Sequence, residues 1–170
     1  VVAAGANSAK INLDRTYGIA IDCQQMSRSR QDDGPQVRAI SVAWAAAYTW
    51  RDRRSDWGQL LFAARGMLTV HTEPGLWVVP AHQAVWVPAG VRHGVEVAGG
   101  VAMRALYLSS SLGGALRRRL PDTCRVVEIS PLLREILRRA MRLRTLDRRL
   151  AAERHLLAVL LDELTLLPLV

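Results

Sequence analysis

From residue 37 onward, short apolar runs alternate with turn-forming residues, and after residue 110 the apolar spacing lengthens from two to three or four. Between Trp57 and His93, runs of about four to six residues rich in Val, Leu and Trp are separated by Arg65-Gly66, Glu73-Pro74-Gly75, Pro80-Ala81-His82 and Pro88-Ala89-Gly90. Runs of this length and β-branched content, punctuated every ten or so residues, predict a small antiparallel sandwich or barrel. A helix does not fit, because Pro or Gly falls inside nearly every helical-length window. Upstream, residues 37–50 (VRAISVAWAAAYTW) alternate and predict one or two strands running into a charged loop at 51–56. Downstream, Gly99-Gly100 between two alternating runs predicts a hairpin whose second arm, 101–109, is the last long strand.

Helical spacing takes over next. Residues 112–120 predict a short helix stopped by Pro121, and 124–129 a brief extended piece. Ser130-Pro131 supplies an N-cap followed by proline at the first helical position. Leu132, Leu133, Ile136, Leu137, Ala140, Met141 and Leu143 then recur on one face. A second helix is predicted from about Asp147 to Leu167, with Leu150, Leu157, Leu161 and Leu164 on one side and Leu156, Leu160 and Leu167 beside them. Joined near Thr145-Leu146-Asp147, the two read as an antiparallel hairpin. The second stripe is wide. Part of it must pack on the sheet, and Leu150, Leu157, Leu161 and Leu164 are the residues expected to meet a second copy of the chain. Residues 1–36 are weakly patterned: Ile11, Leu13, Tyr17, Ile19 and Ile21 alternate loosely, as one short strand or an arm, before a polar linker at 27–35.

Composition narrows the class. The chain has 170 residues, half of them hydrophobic, enough for a proper core and too apolar for wholesale disorder. No run approaches bilayer-spanning length and no secretory pattern opens the chain, so the expected location is cytoplasmic, with no membrane partner. The two cysteines, Cys23 and Cys124, form no metal or redox spacing. The formal charge is +8, carried almost wholly by arginine, with Lys10 the single lysine. These arginines come in pairs and triplets (117–119, 138–139, 148–149) without interleaved aromatics, which predicts solvated faces rather than a DNA-reading surface.

The order Trp57-Gly58-Gln59-Leu60-Leu61, Arg65-Gly66, Trp77-Val78-Val79-Pro80 and Val85-Trp86-Val87-Pro88-Ala89-Gly90-Val91-Arg92-His93 resembles the N-terminal cupin domain of AraC-type transcriptional regulators. Pro88, Gly90 and His93 are similar to the second cupin motif, and Gly66 sits where the first one closes. The resemblance implies a mainly β fold with C-terminal helices: an arm or linker at 1–36, a cupin β-barrel (jelly-roll) at 37–110, and an α-helical dimerisation segment at 111–170. The helix-turn-helix units that such regulators use to bind DNA lie outside these residues. It also implies an N-terminal arm able to fold over the pocket.

A cupin metal centre draws two histidines and a glutamate from its first motif and a histidine from its second. Aligned on Trp57-Gly58-Gln59, those first-motif positions fall on Arg53, Ser55 and Gln59, leaving His93 alone. One imidazole beside a guanidinium does not hold a cation, so no metal and no cofactor are expected, and no enzyme activity. His71, His82 and His155 have no ligand spacing, and no nucleophile triad or phosphate loop appears. What remains is a barrel interior as a receptor for a small-molecule effector. The expected ligand-binding residues are Arg53, Ser55, Trp57, Gln59, Trp86 and His93, with Arg53 favouring an anion. The function implied is effector sensing and homodimerisation within a transcription regulator. A stand-alone cupin enzyme or sugar-binding cupin, and a pure dimerisation module with a filled barrel, are the alternatives.

Overall fold

The structure, a computed structural model, describes residues 34–112 and 120–166, with the side chains of 52, 53, 165 and 166 outside that description. The arm expected at 1–36 thus lies almost wholly outside the described residues, as do Cys23 and most of the short helix expected at 112–120. In chain order the elements are β1 (Val37–Trp44), β2 (Tyr48–Arg53), β3 (Gly58–Arg65), β4 (Met67–Thr72), β5 (Gly75–Pro80), β6 (Gln83–Val87), β7 (His93–Val97), β8 (Val101–Leu108), a single 3-10 turn (Ser110–Leu112), β9 (Arg125–Glu128), α1 (Pro131–Leu143), β10 (Thr145–Leu146) and α2 (Ala151–Leu166).

The strands form a six-stranded sheet, β10-β1-β8-β3-β6-β9, facing a four-stranded sheet, β2-β7-β4-β5. Every pairing is antiparallel. Side-chain alternation then decides what each strand can bury. Along β3, Leu61 and Ala63 face the space between the sheets, whereas Leu60 and Phe62 face the helices. Both faces are covered, so this strand reads as the unbroken apolar run LLFAA rather than as an alternation. The same holds for β6, where Val85 and Val87 point inward and Ala84 and Trp86 outward. Among the described residues no helix covers the four-stranded sheet; Leu76 and Val78 of its edge strand β5 are exposed while Val79 is fully buried.

Two cores result. One lies between the sheets, with Leu68, Val70, Val79, Val95 and Val97 meeting Leu61, Val85, Ala105 and Tyr107. The other lies between the six-stranded sheet and the helices, where Leu133, Ile136, Leu137 and Ala140 of α1 and Leu157, Leu160, Leu161 and Leu164 of α2 pack on Leu60, Phe62, Trp86 and Leu106. Each leucine so enclosed contributes about 1.5–3 kcal/mol of burial.

The start of α1 is as the sequence predicts: Ser130 Oγ accepts from the Leu133 N–H at 3.0 Å and donates to Glu163 Oε2 of α2 at 2.6 Å, with Pro131 opening the first turn. The helix closes on Arg144 at φ 66°, whose N–H reaches the Ala140 carbonyl at 2.9 Å. That reversal turns Thr145 and Leu146 onto β1, opposite Arg38 and Val37. The second helix therefore begins at Ala151 and not at Asp147. Residues 147–150 are a capping turn, in which Glu153 Oε2 accepts the Asp147 N–H and Asp147 accepts the Arg149 N–H. Gln36, expected in the linker, is buried and central to this junction: its carbonyl accepts from Ser109, its N–H donates to Leu146, and its Oε1 accepts the Arg148 N–H at 2.7 Å.

Two expectations need correction. Leu157, Leu161 and Leu164 do not face outward to meet a second copy; the chain's own sheet and α1 enclose them. The wide stripe is wide because α2 touches two surfaces at once. Only Leu150, at 55% exposure, remains open among the residues expected at a dimer contact. The charged loop at 51–56 is also shorter than expected, since β2 continues through Arg53 to pair with β7. Among the described residues, no helix is long and apolar enough to cross a membrane.

Candidate functional site

The register of both sheets gathers the motif residues at one end of the barrel. On the six-stranded sheet Gln59 stands between Val87 and Tyr107, and Arg38 lies opposite Tyr107. On the facing sheet His93 is paired with Arg53 on one side and Thr72 on the other. Alternation turns Trp57 and Gln59 towards the interior with Leu61, and Trp57 joins the buried cluster between the sheets. Trp57, Gln59 and His93 are 9%, 5% and 4% exposed. Gln59 and His93 are two of the few polar side chains buried among the described residues.

The Pro88–His93 motif has a mechanical reason. Gly90 adopts φ +84°, a left-handed conformation that glycine takes without Cβ strain. This lets Gly90 N–H reach the Ser55 carbonyl at 2.7 Å while Val91 N–H closes on Pro88 at 3.3 Å. The turn then brings His93 Nδ1 within 3.1 Å of the Val91 carbonyl, which holds the buried ring against the loop. Ser55 serves the same architecture. Its Oγ accepts from Trp57 N–H at 3.1 Å, so the hydroxyl shapes the β2–β3 loop.

Against the Pro88–His93 loop opens a cavity of about 530 Å³, within the size range of small-molecule sites. Its walls include Trp77, Val91 and Cys124, and its rim carries Arg54, Arg92, Glu73 and Asp122. The Trp77 indole donates to Thr72 Oγ1 at 2.8 Å, and Thr72 in turn donates to the Gly75 carbonyl at 3.0 Å, so the ring is held by the β4–β5 turn. Burial pushes the Cys124 thiol above its ordinary pKa, partly offset by hydrogen bonds from its own backbone and from Thr72. The Arg38 guanidinium lies 5.0 Å from the Trp57 ring centroid, a cation–π contact. Among the described residues no three His, Cys, Asp or Glu side chains stand together as metal ligands.

Of the predicted site residues, Trp57, Gln59 and His93 are buried at this end of the barrel but are not among the residues that line the cavity, and Ser55 shapes the loop beside it. Arg53 arrives by backbone pairing with His93, and its side chain lies outside the description. Trp86 does not belong there. Even-numbered residues of β6 face the helices, and the Trp86 indole donates to the Pro121 carbonyl at 2.8 Å on that far side. The cavity residues not foreseen are Arg54, Arg92, Trp77 and Cys124. Arg92 lies within the motif loop, where its position was a usable signal. Cys124 comes from a segment that crosses back to the mouth before β9, and no local pattern announces it.

Comparison with known proteins agrees with this fold. The chain is 36% identical over 107 residues to the HTH-type transcriptional regulator NimR of Escherichia coli K12, covering 63% of this chain and 37% of NimR. The AraC-like transcriptional activator CuxR has a similar fold, with a TM-score of 0.61 at 9% identity over 79% of this chain and 54% of CuxR. Fatty-acid-bound ToxT of Vibrio cholerae gives 0.53 at 10% identity over 74% of this chain and 51% of ToxT. The chain thus spans little more than a third of NimR and about half of each structural relative. The AraC-like ligand binding domain matches residues 35–159, from the threshold of β1 well into α2, and the chain belongs to that family.

Proposed function

We propose that this chain is the effector-sensing domain of an AraC-type transcription regulator, and that the effector is a small anionic molecule bound in the barrel mouth. The observation that carries the reading is the mouth itself: a cavity of about 530 Å³ against the Pro88–His93 loop, walled by Trp77 and Val91 and rimmed by Arg54 and Arg92. Apolar walls supply burial, and the two guanidiniums supply charge-assisted hydrogen bonds to a carboxylate or similar group. That one ToxT structure holds an unsaturated fatty acid is consistent with an anion of this kind.

The fold offers a short route from effector to helices. Cys124 lines the mouth, β9 starts at the next residue and pairs with β6, and Ser130 caps α1 immediately afterwards. An effector that touches Thr123 and Cys124 biases the seating of β9, and with it the helical pair, by as much as its affinity differs between the two arrangements. In this reading the chain works in the cytoplasm as part of a homodimer whose contact uses exposed positions of the helical segment such as Leu150 and Val159. DNA is bound through a domain outside these residues. A thermal-shift screen of aromatic and aliphatic carboxylates tests the proposal. Ligands that raise the melting temperature should lose that effect in Arg92→Ala and Trp77→Ala. Stabilisation unchanged in both variants would refute binding at the mouth.

A further inference from the structure

A second concavity lies on the other side of the six-stranded sheet, where α1 crosses β3 and β8. Arg104 of β8 stands opposite Phe62 of β3 and points, with Leu106, towards the helices. Packing of Leu133, Leu137 and Ala140 fixes the rotation of α1, which leaves Arg134 and Arg138, one turn apart, on the flank beside Arg104. Together with Phe62, Ile129 and Leu137 they line a notch of about 200 Å³.

Among the described residues the charge in this notch is not balanced. Arg138 Nη1 contacts Glu135 Oε1 at 2.7 Å, while Arg104 and Arg134 form no ion pair among the described residues. Three cations and one carboxylate leave two positive charges around one small hollow. The notch also has an apolar wall, from the Phe62, Ile129 and Leu137 side chains. Its volume is below the range of about 300–1,000 Å³ usual for drug-sized ligands.

We propose that this notch is a second binding site, distinct from the mouth, for a small oxyanion on a short apolar stem, such as a phosphate monoester. Guanidinium forks match tetrahedral and planar oxyanions through paired N–H donors, and the apolar wall receives the stem. Because Arg104 belongs to the sheet and Arg134 and Arg138 to α1, a ligand held by all three clamps the helix to the sheet.

The test is calorimetric titration of the 170-residue chain with phenyl phosphate at fixed ionic strength, repeated on Arg104→Gln, Arg134→Ala and the mouth variant Arg92→Ala. Benzyl alcohol serves as the uncharged control. Saturable binding is expected, weakened at least about tenfold in both notch variants and not comparably in Arg92→Ala, with no binding of benzyl alcohol. Arg134 is solvent-exposed, so its variant keeps the fold, which circular dichroism melts verify for each protein. The proposal is overturned by an absence of saturable binding, by affinity retained in either notch variant, by equal binding of benzyl alcohol, or by a loss in Arg92→Ala as large as in Arg104→Gln.

Discussion

Leu161→Ala separates a core role for α2 from an interfacial one. Leu161 is fully enclosed, packed with Leu157, Leu160 and Leu164 in the core that α1 and the six-stranded sheet share. Alanine removes three carbons from this site, and at about 0.8 kcal/mol each the lost transfer energy is about 2.4 kcal/mol. Rigid surroundings add a cavity contribution, which brings the expected loss to about 3–5 kcal/mol. Urea denaturation followed by circular dichroism reads this as a lowered midpoint. Measured at two protein concentrations tenfold apart, the loss should be the same, because the contacts removed lie within one chain. Leu150→Ala, at an exposed position, should change single-chain stability by no more than about 0.5 kcal/mol. A Leu161→Ala loss under about 1 kcal/mol, or one that shrinks as concentration rises, would refute the placement of this face in the chain's own core.

Other perturbations test other joints. A Cβ on Gly94 would stand 2.6 Å from the Trp50 carbonyl and 3.0 Å from Arg51 Cα, so Gly94→Ala should destabilise by about 1–3 kcal/mol in denaturant melts as β2 is pushed off β7. Ser130→Ala removes both the α1 cap and the hydrogen bond to Glu163, and should lower stability by about 1–2 kcal/mol in the same assay. Hydrogen bonding to Arg149 holds the Asp147 carboxyl below its ordinary pKa. Its contribution is therefore complete above the unfolded aspartate range and is lost as pH falls through the lowered value; carboxyl NMR titration should show that value rising in Arg149→Ala. In a Cys23→Ser background, Cys124 should react with thiol reagents more slowly than a free cysteine at neutral pH, faster as pH rises, and more slowly again with a mouth ligand bound.

How far the fold was legible depended on whether the relevant contacts were local. The Gly99-Gly100 hairpin, with φ +109° and +65°, and the Ser130-Pro131 helix start are local devices, and both occur where the residues predict them. The side of β6 that faces inward is not local. Val85, Trp86 and Val87 are all buried, one face by the opposite sheet and the other by helices, so hydrophobicity along the strand carries no information about Trp86. The leucines of α2 mislead for the same reason, since a stripe that packs on two surfaces looks like one surface left over. Gln36 shows the limit most clearly. It reads as the end of a polar linker, yet its amide joins segments 110 residues and more apart.

The two shortest contributions to the six-stranded sheet, β9 and β10, come from the part of the chain that follows the barrel strands. A recombinant fragment ending at residue 110 would strip both away, leaving the outer edges of β1 and β6 unpaired and an apolar sheet face open to water. β1 would stay paired with β8 and β6 with β3, but the freed outer edges invite strand addition and aggregation. The smallest piece worth expressing for crystallisation or screening thus runs past the second helix, because the receptor and its helical tail solubilise one another.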